Sequence, residues 1–172
     1  MNDTATARGF DFVPHWKLER TDADDAPLLA FWKTEGALAN DDQAKERLSQ
    51  VILHASDTAG AIAGVCTAVP LTHPRMAQPL YYYRCFVGKA WRKTRLVFTM
   101  LNRAFDVLEE HARVNDFPCI GVILELENSR FGETLRSPVW PSTGFVYIGK
   151  GPRGLDLRVR YFRGARLKKP KT

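Results

Sequence analysis

The run Arg84-Cys85-Phe86-Val87-Gly88-Lys89-Ala90-Trp91-Arg92-Lys93-Thr94-Arg95-Leu96-Val97-Phe98-Thr99-Met100-Leu101 decides how the rest of the chain is read. It closes an apolar strand, crosses a group of cations and opens a helix. Leu96, Val97, Met100, Leu101, Ala104, Phe105 and Leu108 recur at helical spacing and form one wide apolar face. Thr94 is placed to cap that helix, and His111 and Arg113 fall in its last turn, where cations suit the dipole. Arg84, Lys89, Arg92, Lys93 and Arg95 occur in this run with no acid among them. Backbone N–H groups at a helix N-terminus already attract an anion, so cations beside one make a phosphate site electrostatically sensible. The plainer alternative is a solvated basic loop.

Upstream, Phe10 to Arg20 reads as a first strand carrying Phe12, Trp16 and Leu18. Thr21 followed by Asp24, with Pro27 in the first turn, signals a helix start, and Gly36 stops that helix. Leu28, Leu29, Phe31 and Trp32 form its buried stripe. A short helix follows over about 41–50, with Ala44 and Leu48 inward. Val51–Ala55 is a short strand, 57–60 a turn, and Ala61–Leu71 a long run of small and β-branched residues. His73-Pro74 to Pro79 interrupts it. Leu80–Val87 is then a strand, with Tyr81 and Tyr83 on one face and Tyr82 on the other.

Downstream of the helix, Cys119–Leu126 is a continuous apolar run, as expected of a strand buried on both faces. Residues 128–136 suggest a short helix ended by Pro138 and Pro141. Phe145–Ile148 is a strand, and Leu155, Leu157, Val159 and Tyr161 alternate with Asp156, Arg158 and Arg160 as in a half-exposed strand. The order β-α-α-β-β-β-α-β-α-β-β predicts an α/β (α+β) chain around a six- or seven-stranded sheet. Residues 1–9 read as a flexible start, 10–162 as a single domain and 163–172 as a basic C-terminal tail.

Composition narrows the field. At 172 residues, 45% apolar and 26% charged, the chain is of ordinary globular make-up, which excludes collagen, a disordered tail protein or a disulfide scaffold. The net charge of +6 is uneven, since residues 150–172 hold 9 basic and 1 acidic side chain. Cys66, Cys85 and Cys119 are odd in number and lack C-x-x-C spacing, so reduced thiols in the cytoplasm are expected. No apolar segment suggests a membrane span or a signal peptide. Gly149-x-Gly151-x-x-Gly154 matches a dinucleotide fingerprint formally, but Pro152 lies inside it and a strand follows, so a hairpin turn is the reading. His15, His54, His73 and His111 show no ligand spacing, and no metal is expected.

Taken together, the chain resembles the GNAT superfamily of acyl-CoA-dependent N-acyltransferases over roughly residues 12–162. Glu19–Leu29 is similar to that family's first strand and helix start, and Ala61-Ile62-Ala63-Gly64-Val65 to its third strand. Val87–Leu101 looks like the strand-loop-helix that holds the cofactor. Glu125-Leu126-Glu127-Asn128 and the later Gly144-Phe145 look like its fifth strand, the Asn after it and its G-F pair.

The resemblance implies a single-domain, mixed, mostly antiparallel sheet with helices on both faces. It implies acetyl-CoA, or another acyl-CoA, as co-substrate. Cys85, Phe86 and Val87 would pair with pantetheine, and Lys89, Arg92, Lys93, Thr94 and Arg95 would hold the phosphates, with Asn128 also on the cofactor side. Arg92 matches the Arg of the family's R-x-x-G-x-G/A segment, but its two small positions fall on Arg95 and Val97. Glycine there permits φ > 0 and a close approach to phosphate. The loop must therefore be wider, or side chains must take up the phosphates.

Glu125 and Glu127, on one strand face, are the implied general bases. The family's acidic tyrosine would fall on Leu135 or Trp140, so Tyr83 and Tyr147 are the candidate acids. The acceptor would be an amine on a small molecule or peptide, facing segments 30–42 and 128–143 with Trp32, Phe131 and Trp140. A homodimer is left open, and neither a membrane nor a nucleic acid is the expected partner. Two alternatives stand beside this reading. One is a GNAT-like protein that binds a CoA thioester without transfer. The other is an anionic-polymer binder using Arg158, Arg160, Arg163, Arg166, Lys168, Lys169 and Lys171.

Overall fold

Thr21 and Asp24 close a capping box. The Thr21 N–H donates to the Asp24 carboxylate at 2.8 Å, and the Asp24 N–H donates to Thr21 Oγ1 at 3.4 Å. This starts helix α1, Asp22–Glu35, which ends at Gly36 in the left-handed region with φ 63°. Asn40 caps helix α2, Asp41–Leu48, by accepting the Gln43 N–H at 2.8 Å. The amphipathic run folds as α3, Leu96–Val114. Leu96, Met100, Ala104 and Leu108 are at most 1% exposed. Burying each larger side chain among them stabilises by about 1.5–3 kcal/mol.

The strands are β1 (Phe10–Pro14), β2 (Val51–Asp57), β3 (Ile62–His73), β4 (Gln78–Val87), β5 (Gly121–Glu125), β6 (Val146–Lys150) and β7 (Asp156–Tyr161). They form one seven-stranded sheet in the order β1-β2-β3-β4-β5-β7-β6. The pairs β1–β2, β2–β3, β5–β7 and β6–β7 are antiparallel, and β4–β5 is parallel across the α3 crossover. The computed structural model describes residues 9–128 and 135–169. The helix expected over 128–136 lies largely outside these residues. No helix among the described residues is long and apolar enough to cross a membrane.

The chain divides into two compact units, residues 1–67 with 85–104, and residues 68–84 with 105–172. In the first unit, helices cover both sheet faces. Leu28, Phe31 and Trp32 of α1 pack with Val51, Val65 and Phe86. On the other face, α3 presses Met100 onto β3, where a Cβ on Gly64 would lie 2.8 Å from the Met100 sulfur. A side chain at this position would push the Met100 side chain aside. In the second unit, Leu80, Ile120, Ile123, Leu157 and Val159 form the core of one face. Tyr81 lies on the other, hydrogen-bonded to His111 at 2.9 Å and stacked on Phe117.

Two expectations need correction. The first strand stops at Pro14, because the His15 and Trp16 amides both turn to the Ile52 carbonyl. The last strand does not expose its arginines. Arg158 is 2% exposed, while Tyr161 is 39% exposed. Arg158 gives three hydrogen bonds to the carbonyls of Leu135, Ser137 and Pro138, and lies 4.2 Å from the Trp140 ring centroid. Arg160 packs 3.7 Å from the Phe105 centroid and donates to the Thr143 carbonyl. Carbonyls and aromatic faces replace water around both guanidinium groups, so neither arginine is presented to a polymer.

Candidate functional site

In the first unit, β4 runs through Cys85, Phe86 and Val87 to Gly88 and into a single 3-10 turn, Lys89–Trp91. Arg92–Arg95 then lead into α3. Arg95, the residue before α3, has φ 63°. That is the left-handed conformation that favours glycine, and here an arginine adopts it at a cost of about 1–2 kcal/mol. The loop thus enters α3 through a left-handed residue that carries a cation.

The cations do not all face the same way. Arg92 donates from Nε to the Val87 carbonyl at 3.2 Å and lies over the Phe86 ring. Arg95 leans over Phe98, and Lys89 and Lys93 are exposed. Thr94 takes only part of the capping role, since its Oγ1 donates to the Trp91 carbonyl and receives the Leu96 N–H at 3.4 Å. Cys85 approaches the Met100 sulfur at 3.9 Å. Sequence reasoning missed Glu35. Its carboxylate, at the end of α1, accepts the Lys89 N–H at 3.0 Å and fastens the start of the turn. A cavity of about 390 Å³ also lies in this unit, lined by Trp32, Lys33, Leu38, Asn40 and Lys45 among others. It falls in the segment expected to face the acceptor.

In the second unit, β4 pairs with β5 through Tyr81↔Val122, Tyr82↔Ile123 and Tyr83↔Leu124, and β4 continues past Tyr83 to Val87. Glu125 ends β5 and Glu127 lies two residues beyond it, and Arg153 holds both. Its Nε and Nη2 reach Glu125 Oε2 at 3.0 and 2.5 Å, and Nη2 reaches Glu127 Oε1 at 3.2 Å. These bonds raise the Arg153 pKa, with Glu125 contributing most. Arg153 sits in the turn between β6 and β7, where the Gly154 N–H closes on the Gly151 carbonyl. The glycine-rich segment is therefore a hairpin turn.

Tyr83 is buried, and Tyr147 is 40% exposed with Arg158 5.9 Å from its ring centroid. Tyr82, half-buried under the Arg84 guanidinium, is the phenol on the Glu125 side. Its pKa is raised by burial first and by Glu125 second. Arg84 thus belongs with Tyr82 and not with the cations ahead of α3. Asn128 is exposed at the end of the β5 segment, and Phe131 lies outside the described residues. Among the described residues no group of three or more His, Cys, Asp or Glu could hold a metal ion.

Comparison of the whole fold with solved structures gives consistent relatives. A GNAT-family acetyltransferase from Streptococcus pneumoniae aligns with TM-score 0.60 at 16% identity, covering 89% of this chain and 99% of its own. A GCN5-related N-acetyltransferase from Kribbella flavida aligns with TM-score 0.60 at 17% identity, covering 90% and 98%. The chain has the GNAT fold. AtaTR, solved bound with AcCoA, also shares that fold, with TM-score 0.59 at 12% identity over 90% of this chain and 94% of its own. No family model matches the sequence, and no curated protein matches it significantly. The GNAT fold is thus shared with these proteins at low identity.

Proposed function

We propose that residues 10–162 form an acyl-CoA-dependent N-acyltransferase that moves an acyl group, acetyl first, onto an amine. The observation that carries this reading is Arg95. In a GNAT fold, a left-handed residue immediately before α3, at the position where the resembled motif has a small residue, supports a phosphate-binding loop at this helix start. Lys89, Arg92, Lys93, Thr94 and Arg95 would surround the phosphates, and the β4 edge at Cys85, Phe86 and Val87 would pair with pantetheine; Asn128 is the remaining proposed cofactor residue. AtaTR, a fold relative, was solved with AcCoA, which supports acetyl-CoA as the co-substrate.

The amine nitrogen attacks the thioester carbonyl, the C–S bond breaks, and the thiolate takes a proton. Glu125 is the proposed base and Glu127 the second candidate. Both Arg153 bonds to Glu125 go to Oε2. Oε1 can then receive the ammonium proton directly or through water. Of the candidate acids, Tyr147 is the exposed one and Tyr83 the buried one, and Tyr82 joins them from its place on the Glu125 face. The acceptor is a small-molecule or peptide amine, and the free cysteines fit a reducing cytoplasm.

Calorimetry with acetyl-CoA, paired with thiol release in the presence of an amine panel, tests the proposal. Binding with amine-dependent thiol release is expected. Binding without release would favour a CoA-thioester binding protein. No heat at millimolar acetyl-CoA would defeat both readings.

A further inference from the structure

The C-terminal segment is not left to solvent. Gln78, at the start of β4 and 8% exposed, clasps Lys168 from both sides. The Lys168 N–H donates to Gln78 Oε1 at 2.7 Å, and Gln78 Nε2 donates to the Lys168 carbonyl at 3.1 Å. The amide side chain thus imitates a strand partner for one residue of the tail. Nearer the sheet, the Arg163 N–H donates to Glu109 at 2.6 Å, and the Ala165 N–H to the Phe162 carbonyl at 3.1 Å. A stretch that composition alone would leave solvated is tied down at both ends. Ordering a chain end costs conformational entropy, and these buried or charged contacts offset it.

The clasp fixes the backbone and leaves the side chains out. Arg163, Arg166, Leu167, Lys168 and Lys169 are all exposed, Leu167 at 71%. None of the four cations forms an ion pair among the described residues. Among the described acids of the same unit, Glu110 is paired with Arg113, Asp156 with Lys150, and Glu125 and Glu127 with Arg153. Glu109 meets Arg163 through the backbone N–H. The result is a held strap whose four cations form no ion pair among the described residues, with one apolar side chain between Arg166 and Lys168.

We propose that this strap binds single-stranded nucleic acid. Phosphates neutralise the cations, and an unstacked base can lie against the exposed Arg166 guanidinium plane. A single strand is the class that offers closely spaced phosphates together with open apolar base faces. An anionic bilayer would need a second, inserting signal beyond one leucine. The surface is independent of the acyltransferase reading, and it excludes Arg158 and Arg160, which are committed to the core.

The test is fluorescence anisotropy of the full chain with a short labelled oligouridylate across a salt series. Four phosphate contacts predict a slope of log K against log salt of about −3. The variant R166Q/K168Q/K169Q, which changes only exposed side chains, should bind at least about tenfold more weakly at low salt and lose about two units of slope. Q78A keeps every charge but frees the strap, and should weaken binding by a smaller factor. Wild-type affinity in the triple variant would overturn the proposal. So would equal binding to phosphatidylserine vesicles or to polyglutamate, which would assign the strap to a membrane or an acidic protein. Unchanged binding in Q78A would overturn the role of the clasp.

Discussion

Arg153 and Glu125 are joined at a single carboxylate oxygen. Two guanidinium nitrogens converge on Oε2, and Oε1 is left to other partners. The Glu125 side chain is 10% exposed, against 67% for Glu127. A base must be held in place as well as be basic, and Glu125 is the better held of the two. Glu125→Gln should lower kcat by about 10²–10³ while leaving the KM for acetyl-CoA nearly unchanged. Glu127→Gln should have a far smaller effect. Steady-state thiol release with a responsive amine checks both, and a large loss confined to the Glu127 variant would reverse the assignment.

Arg95 offers a test of the loop that does not depend on the chemistry. Its φ of 63° suits glycine and strains any residue branched at Cβ. Arg95→Gly should fold with a melting temperature close to wild type, because relieved strain offsets the greater freedom of the unfolded chain. Arg95→Val should destabilise by about 1–3 kcal/mol and lose acetyl-CoA binding with the turn. Thermal unfolding and calorimetry on the two variants separate conformation from charge. If the valine variant matches the glycine one, the left-handed turn is not required.

Much of this was readable before the structure. Thr21, Asp24 and Gly36 bracket α1, seven apolar residues on one face mark α3, and Pro152 identifies a hairpin turn inside a nucleotide-like motif. These are local signals, carried by a few neighbouring residues. What escaped depends on partners far along the chain. Arg158 and Arg160 alternate with apolar residues as exposed side chains do, yet distant carbonyls and rings bury them. The hold of Arg153 on Glu125 needs the β5–β7 register. The Glu35 bond to Lys89 spans 54 residues and leaves no periodic trace. The candidate site was therefore legible as a list of residues but not as a set of contacts.

His15, just past the end of β1, meets His54 of β2, with Nε2 and Nδ1 2.7 Å apart and the rings stacked. Burial first, then the His15 charge, lowers the His54 pKa from 6.5 to about 4. Burial also lowers His15, helped by Arg20 and opposed by Asp24 and Asp25. Between about pH 6.5 and 4 the unfolded chain therefore binds protons that the folded chain refuses. Stability is full above that range and falls as pH drops through it, with His54 accounting for at most about 3 kcal/mol. His73, also lowered by burial, acts in the same direction. Urea unfolding at about pH 7 and about pH 5 should show the fall in wild type and a smaller one in His54→Gln. Equal falls would place the titration elsewhere.

Arg158 carries a charge into the core with no carboxylate in hydrogen-bonding contact among the described residues. Burial lowers its pKa, and Asp156 and Tyr147 only partly restore it. Three carbonyls and the Trp140 ring take the place of a counter-ion, while Nε is buried without a hydrogen-bond partner. The guanidinium spans Leu135 to Pro138 because its two terminal nitrogens diverge in a fixed plane. An ammonium is a point and cannot reach all three acceptors or stack on the ring in the same way. Arg158→Lys should therefore cost about 2–3 kcal/mol despite keeping the charge. Arg158→Met removes both the buried charge and the hydrogen bonds, and should cost no more than the lysine variant, since no paired carboxylate is stranded. Urea midpoints rank the two. A lysine variant as stable as wild type would mean that charge, not the planar fork, holds the segment before β6.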